Sequence, residues 1–146
     1  MNVNVYLENE AKLPKYQHEG DAGADVCSIM DDFILYSNER VMVHTGIYMD
    51  IPEGYECQCR PRSGLAINYG ITVLNSPGTI DSKYKGECNV ILINHSDMPF
   101  EIKKGMRIGQ FVFNKYESVN FIKLNTKEEI GNSDRGSGGF GHSGTN

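Results

Sequence analysis

Short apolar runs that alternate with polar residues, each closed by turn residues, leave this chain little room for anything but a β fold. Successive side chains on a strand point to opposite faces, so a two-residue period marks a strand with one buried face. Residues 1–7 alternate in this way, and 25–30 and 32–36 are short β-like pieces. Val41, Val43, Ile47, Met49 and Ile51 lie at strand spacing, which predicts one strand over 41–51 ended by a turn at Pro52 and Gly54. Further strands are predicted over 55–60, 71–74, 89–94 and 107–113. Only 63–69 reads as helix, with a hydroxyl cap in Ser63, apolar residues at 65–67 and a stop at Gly70. One more turn is expected at 126–130, where Thr126 and Glu129 have capping-box spacing. The expectation is an all-β, jelly-roll-like distorted barrel with one short helix.

The chain has 146 residues, about one domain, with room for a core. No internal repeat and no linker precede Gly131, so the expected division is a β body over 1–130 and an arm over 131–146. A formal charge of −5 argues against broad binding to nucleic acid. A small polyanion remains compatible, because clustered arginines or a bound divalent cation reverse the field locally. No apolar run approaches the ~20 residues of a membrane span, and no basic-then-apolar leader opens the chain. A soluble, cytoplasmic protein is expected. Cys57 and Cys59 point the same way along one strand, while Cys27 and Cys88 stand alone. Without a second ligand pair these predict reduced, mostly buried thiols rather than a zinc site.

The arm is mostly glycine, which loses the most entropy on ordering, so it suits neither helix nor strand. Yet Arg135 suits a phosphate, and Phe140 suits a base. An arm that closes over a nucleotide needs that combination; the plainer alternative is a flexible Gly/Ser terminus.

Four loop clusters carry candidate chemistry, and each has a plain structural reading beside it. Gly20-Asp-Ala-Gly-Ala-Asp25 places two carboxylates among small residues, which also suits a turn into a strand. Arg60-Pro-Arg-Ser-Gly-Leu65 puts Arg62 and Ser63 at a helix start, where backbone N–H groups and a guanidinium converge on an anion. The alternative there is a capped helix with Arg62 in solvent. Asn75-Ser-Pro-Gly-Thr-Ile-Asp81 runs on to Tyr84 and Gly86 as an expected hairpin. Its Asp81 suits a base and its Tyr84 a sugar ring, against a solvated surface turn. Gly105-Met-Arg-Ile-Gly-Gln110 sets Arg107 and Gln110 at the start of a strand.

Taken in order with Arg135-Gly-Ser-Gly-Gly-Phe140-Gly, these segments resemble the five ordered motifs of the trimeric deoxyuridine triphosphatases, over residues ~20 to 146. The resemblance implies a jelly-roll-like (β-clip) homotrimer that hydrolyses dUTP to dUMP and pyrophosphate, with Mg2+ on the triphosphate and sites at subunit interfaces. That activity limits uracil in DNA and supplies dUMP for dTMP synthesis. It gives Asp81 the role of general base, with Gln110 close to the α-phosphate and the attacking water. Asp25 would hold the hydration shell of the magnesium. Arg62, Ser63, Gly64 and Arg107 would grip phosphate oxygens. Tyr84 would stand against the deoxyribose, and Asn75 with the backbone near Gly86 and Val90 would read uracil. From the arm, Phe140 would stack on uracil, Arg135 would reach the γ-phosphate with the backbone and hydroxyls near Ser137 and Ser143, and Gly141 would also contact substrate.

Two positions depart from the family pattern. His142 stands where serine or threonine is usual, and Asn68 where lysine is common. Two other functions compete with the implied one. A dCTP deaminase would need an acid/base glutamate at the base, whereas this hairpin offers Ile80 and Asp81, with Glu87 after Gly86. A non-catalytic β trimer that binds nucleotides or protein partners would have no need of Asp81 or the full arm.

Overall fold

The computed structural model describes residues 1–8 and 10–139. Eleven strands appear among them: β1 Asn4–Leu7, β2 Ala24–Cys27, β3 Phe33–Leu35, β4 Arg40–Val43, β5 Ile47–Asp50, β6 Tyr55–Arg60, β7 Ile71–Val73, β8 Gly78–Ile80, β9 Val90–Asn94, β10 Phe100–Ile102 and β11 Arg107–Lys115. The helix α1, Ser63–Tyr69, follows β6, and a single 3-10 turn occupies Lys127–Ile130. The pairing is antiparallel throughout the described strands. It gives a four-stranded sheet β2-β11-β6-β8, a three-stranded sheet β4-β9-β7, and the ribbons β1-β5 and β3-β10. This is the expected all-β, jelly-roll-like architecture.

Alternation builds the core. In β9, Val90, Leu92 and Asn94 are buried while Ile91 and Ile93 are half-buried on the opposite face. In β6, Cys57 and Cys59 point inward between Glu56, Gln58 and Arg60. Both sheets feed one apolar cluster that includes Phe111, Val26, Val43, Ile71 and Leu92. Each such side chain contributes about 1.5–3 kcal/mol by leaving water. Asn94 is the polar exception and is satisfied: its Nδ2 donates to the carbonyls of Leu35 (3.0 Å) and Met98 (2.8 Å). It thereby ties β3 to β9.

Four details differ from the sequence expectation. The run 41–51 is two strands, because residues 44–46 turn the chain and Gly46 adopts φ +64°. Val43 and Ile47 both face inward across that turn, so the apolar spacing runs on unbroken and hides it. The hairpin expected at 77–86 is instead β8, paired to β6, followed by an irregular connection 81–89 that leads into β9. The strand β10 was not expected; it is short and pairs with β3. The helix does end on Gly70 in the left-handed conformation (φ +67°), but Arg62 rather than Ser63 is its N-cap, with no side-chain capping bond.

The thiols follow expectation: Cys57, Cys59 and Cys88 are buried, Cys27 is half-buried, and all four are free. Burial pushes Cys59 up to about 12 and Cys88 up to about 11, so both stay protonated. After β11 the chain leaves the body, with Val119, Phe121 and Ile122 at least 63% exposed.

Candidate active site

Asp25 organises the first group of site residues. Strand pairing sets Gln110 of β11 opposite Asp25 of β2 and Arg60 of β6. The Asp25 side chain is only 3% exposed, and it is held by charge. Arg62 Nε donates to Oδ1 at 3.2 Å, Arg107 Nη1 to Oδ2 at 2.9 Å, and Gln110 Nε2 to Oδ1 at 3.1 Å. Arg62 Nη1 also donates to the Arg107 carbonyl at 3.3 Å. Gly23 makes room for this, since a Cβ there would fall 3.1 Å from the Gln110 side chain. One buried carboxylate thus orients two guanidiniums, each with further N–H donors to spare. The Arg107 side chain is 45% exposed and Arg62 27%, so both offer those donors to solvent or to an anion. Ser63 and Gly64 open α1 beside Arg62, and the Ser63 hydroxyl is not spent on capping. A Cβ on Gly64 would meet nothing within 4 Å, so packing within this chain does not demand the glycine.

The second group lines a cavity of ≈ 250 Å³ between β8, the 81–89 connection and the outer face of β4-β9. Asn75, Asp81 and Tyr84 all reach it. Gly78 accommodates Asn75, whose Nδ2 would stand 3.0 Å from a Cβ at that position. Tyr84 lies across Gly86, where a Cβ would come 2.7 Å from its Cζ. Its hydroxyl donates to the Glu87 carbonyl at 3.0 Å. Asp81 is exposed in the single chain, as the solvated-turn reading of this segment expects. Gly86 and Val90 flank the cavity without lining it, and the Val90 side chain is fully buried in the core, so only its backbone is available to a base. Glu87, Asn89, Met42 and Cys59 line the cavity without having been assigned a part in the reaction. The adjacency of Glu87 to Tyr84 and Gly86 was the available signal.

These two groups do not meet within one chain. Gln110 pairs with Arg60 at one end of β6, whereas Ile80 pairs with Cys57 and Asp81 leaves the sheet level with Glu56. Four residues of strand are about 13 Å, and β8 to β11 is a further two strand spacings, roughly 10 Å sideways. The cavity also contains Cys59, which points away from the face that carries Arg60 and Gln110.

Arg135 and Ser137 are exposed, and Arg135 Nε donates to the Gly138 carbonyl at 2.8 Å. Phe140, Gly141 and Ser143, with His142, lie outside the described residues. No cluster of three or more metal-ligating side chains occurs among the described residues. A magnesium ion is usually held chiefly by phosphate oxygens and water, with one or two carboxylates. Asp25 accepts three hydrogen bonds on its two oxygens, which leaves one lone-pair direction for a water of such an ion.

Comparison with known proteins agrees with this geometry. A family model described as dUTPase matches residues 9–144. A deoxyuridine 5'-triphosphate nucleotidohydrolase of Fusobacterium nucleatum subsp. nucleatum is 50% identical over 145 residues, covering 99% of this chain and 97% of its own. One from Chlamydia pneumoniae is 49% identical, covering 99% of both chains. The structure of Staphylococcus bacteriophage 80alpha dUTPase with dUPNHPP superposes with a TM-score of 0.89 at 26% identity, covering 99% of each chain. The match runs through both groups of site residues, and the chain belongs to the dUTPase family, the deoxyuridine triphosphate nucleotidohydrolases.

Proposed function

We propose that this dUTP nucleotidohydrolase releases dUMP and pyrophosphate by in-line attack of a water on the α-phosphorus, in a homotrimer that shares its active sites. The carrying observation is the cavity that gathers Asn75, Asp81 and Tyr84. Uracil and deoxyribose occupy it. Asn75 with the backbone near Gly86 and Val90 reads the base edge, and a cytosine amino group meets a donor there. Tyr84 closes the space a 2'-hydroxyl needs. Asp81 takes the proton of the attacking water, and Gln110 orients that water beside the α-phosphate.

Arg62, Arg107, Ser63 and Gly64 neutralise and fix the phosphates, which is most of what phosphoryl transfer asks of a protein. Asp25 holds the hydration shell of Mg2+, which supplies charge neutralisation on the triphosphate when bound. The separation of the two groups by a sheet supports a shared site, since a base must reach its water at hydrogen-bond distance. The cavity group of one subunit then works with the arginine group of another. Exposed apolar residues at Met42 (52%), Leu74 (44%) and Phe121 (95%) support burial against further copies.

Residues 131–146 act as the arm that completes the site over the 1–130 body. Phe140 and Gly141 cover uracil, while Arg135, Ser137 and Ser143 reach the γ-phosphate, and closure excludes all but the attacking water. The products place the enzyme where uracil is kept out of DNA and dUMP is supplied for dTMP. No described helix is long and apolar enough to cross a membrane, and we assign the enzyme to the cytoplasm, where that chemistry is needed. Pyrophosphate release from dUTP with Mg2+, beside dCTP, dTTP and UTP, tests the reading. Fast release from dUTP alone is expected; release of ammonia from dCTP, or no release with any nucleotide, overturns it.

A further inference from the structure

Glu87 lines the nucleotide cavity, yet the reaction above gives it no task. Its side chain is only 14% exposed, and a carboxylate this covered is normally paired. Here it is saturated. Oε1 accepts from the backbone N–H groups of Thr45 (3.0 Å) and Gly46 (2.8 Å), and Oε2 lies 2.8 Å from His44 Nδ1. The Asn89 amide, turned with its nitrogen inward, adds a donor 3.1 Å from either oxygen. Four donors use every lone-pair direction a carboxylate has. Such a group has nothing left to offer a base, so it does not act as a deaminase glutamate. Three of its donors belong to the 44–46 turn, so the side chain fastens the 81–89 connection to the turn between β4 and β5.

The backbone of the same residue meets the sugar-reading ring. Tyr84 Oη donates to the Glu87 carbonyl at 3.0 Å. The ring lies so close over Gly86 that a Cβ there would stand 2.5 Å from Oη. The phenol is therefore seated on the Gly86–Glu87 backbone, and the Glu87 carboxylate holds that backbone in place. Cys88 adds two anchors of its own: its N–H donates to the Ile47 carbonyl at 2.8 Å, and its carbonyl accepts from Thr45 Oγ1 at 2.8 Å. The connection consequently keeps its path when the Glu87 side chain is lost, while the seat of the ring loosens.

We propose that Glu87, anchored by His44 and the 44–46 turn, is a positioning residue that sets selection of deoxyribose over ribose by fixing Tyr84. This rests on the reading of Tyr84 as the residue that stands against the sugar. A pocket excludes an added hydroxyl only if its wall does not yield, because an extra hydroxyl is otherwise weakly rejected.

The test compares kcat/KM for dUTP and UTP in the full chain, for the unaltered protein, Glu87→Ala, Glu87→Gln and Tyr84→Phe. Glu87→Ala is expected to lower the dUTP/UTP ratio by ~10-fold, and Tyr84→Phe, which cuts the phenol from its seat, to move it in the same direction. Glu87→Gln retains an acceptor for the turn and is expected to recover most of the ratio. If Glu87→Ala does not fold, His44→Ala, which removes the exposed member of the pair, is expected to lower the ratio by ~3-fold. A ratio that stays within twofold in a folded Glu87→Ala or His44→Ala protein overturns the inference alone. So does an equal loss on both substrates, which is what a merely structural role gives. An unaltered protein that does not hydrolyse dUTP overturns the functional reading and this inference with it.

Discussion

The two halves of the site are assembled by opposite means. The arginine group is long-range: Asp25 collects Arg62 from the start of α1, 37 residues away, and Arg107 and Gln110 from β11, 82 and 85 residues away. The cavity group is local, drawn largely from residues 75–91, and is shaped by glycines and by a connection outside any sheet. The first must present charge, and a buried carboxylate among cations fixes guanidinium direction well. The second must present shape, so its walls need seats such as Gly86 and Gly78, where a side chain would collide. On the proposed reading, phosphate recognition depends on strand register, and base and sugar recognition on loop conformation.

The largest expected effect tests whether the cavity carries the chemistry. Asp81→Asn should lower kcat by about 10²–10⁴-fold with nucleotide affinity little changed; unaltered turnover removes Asp81 from the role of base. Next, deletion of 131–146 should leave a folded body and lower kcat/KM by about 100-fold, because the triphosphate is then less well positioned. Wild-type kinetics after truncation would remove the arm from the mechanism.

Asp25→Ala sharpens the contrast from the charged side. It releases both guanidiniums and should destabilise the fold by about 1–3 kcal/mol, seen as a lower Tm, while raising KM for dUTP. Tyr84→Ala acts on shape alone: the dUTP/UTP ratio of kcat/KM should fall while Tm holds, and an unchanged ratio would locate sugar reading elsewhere.

The smallest effect concerns pH. Burial opposes ionisation of Glu87, but the hydrogen bond from His44, the Gly46 N–H, the charge of His44 and the Thr45 N–H together outweigh it and hold its carboxyl below the usual value. A lowered folded pKa means that this stability is present above the unfolded value, about 4.3 for glutamate, and is lost as pH falls through the folded one. The Tm difference between the unaltered protein and Glu87→Gln should therefore shrink on acidification below about pH 4. A difference that does not change with pH would show that the Glu87 charge does not secure the turn.

Much of the site was legible because its chemistry resides in residue types at fixed spacing. Asn75, Asp81 and Tyr84 share one loop system, and their meeting in one cavity follows from nearness along the chain. Arg62 beside the start of α1 was legible from Gly70 and the apolar 65–67 run, although the N-cap assignment shifted by one residue because the cap there uses no side chain. The split of 41–51 was not legible, since Val43 and Ile47 keep their inward spacing across the turn. Nor was the fastening of Glu87 to that turn, a contact 41–43 residues away in sequence.

Read alone, the chain carried a β fold in its two-residue period, a helix stop at Gly70 and free thiols. These are properties of single residues and near neighbours. Only in the folded chain does Asp81 leave the sheet four residues along β6 from the level of Gln110, with the cavity's Cys59 turned away from the face of Arg60. Antiparallel register fixes which residues stand level across β2, β11, β6 and β8, and a one-residue slip would turn every side chain to the other face. That register is set by the burial of distant residues together, so no local pattern in the chain contains it.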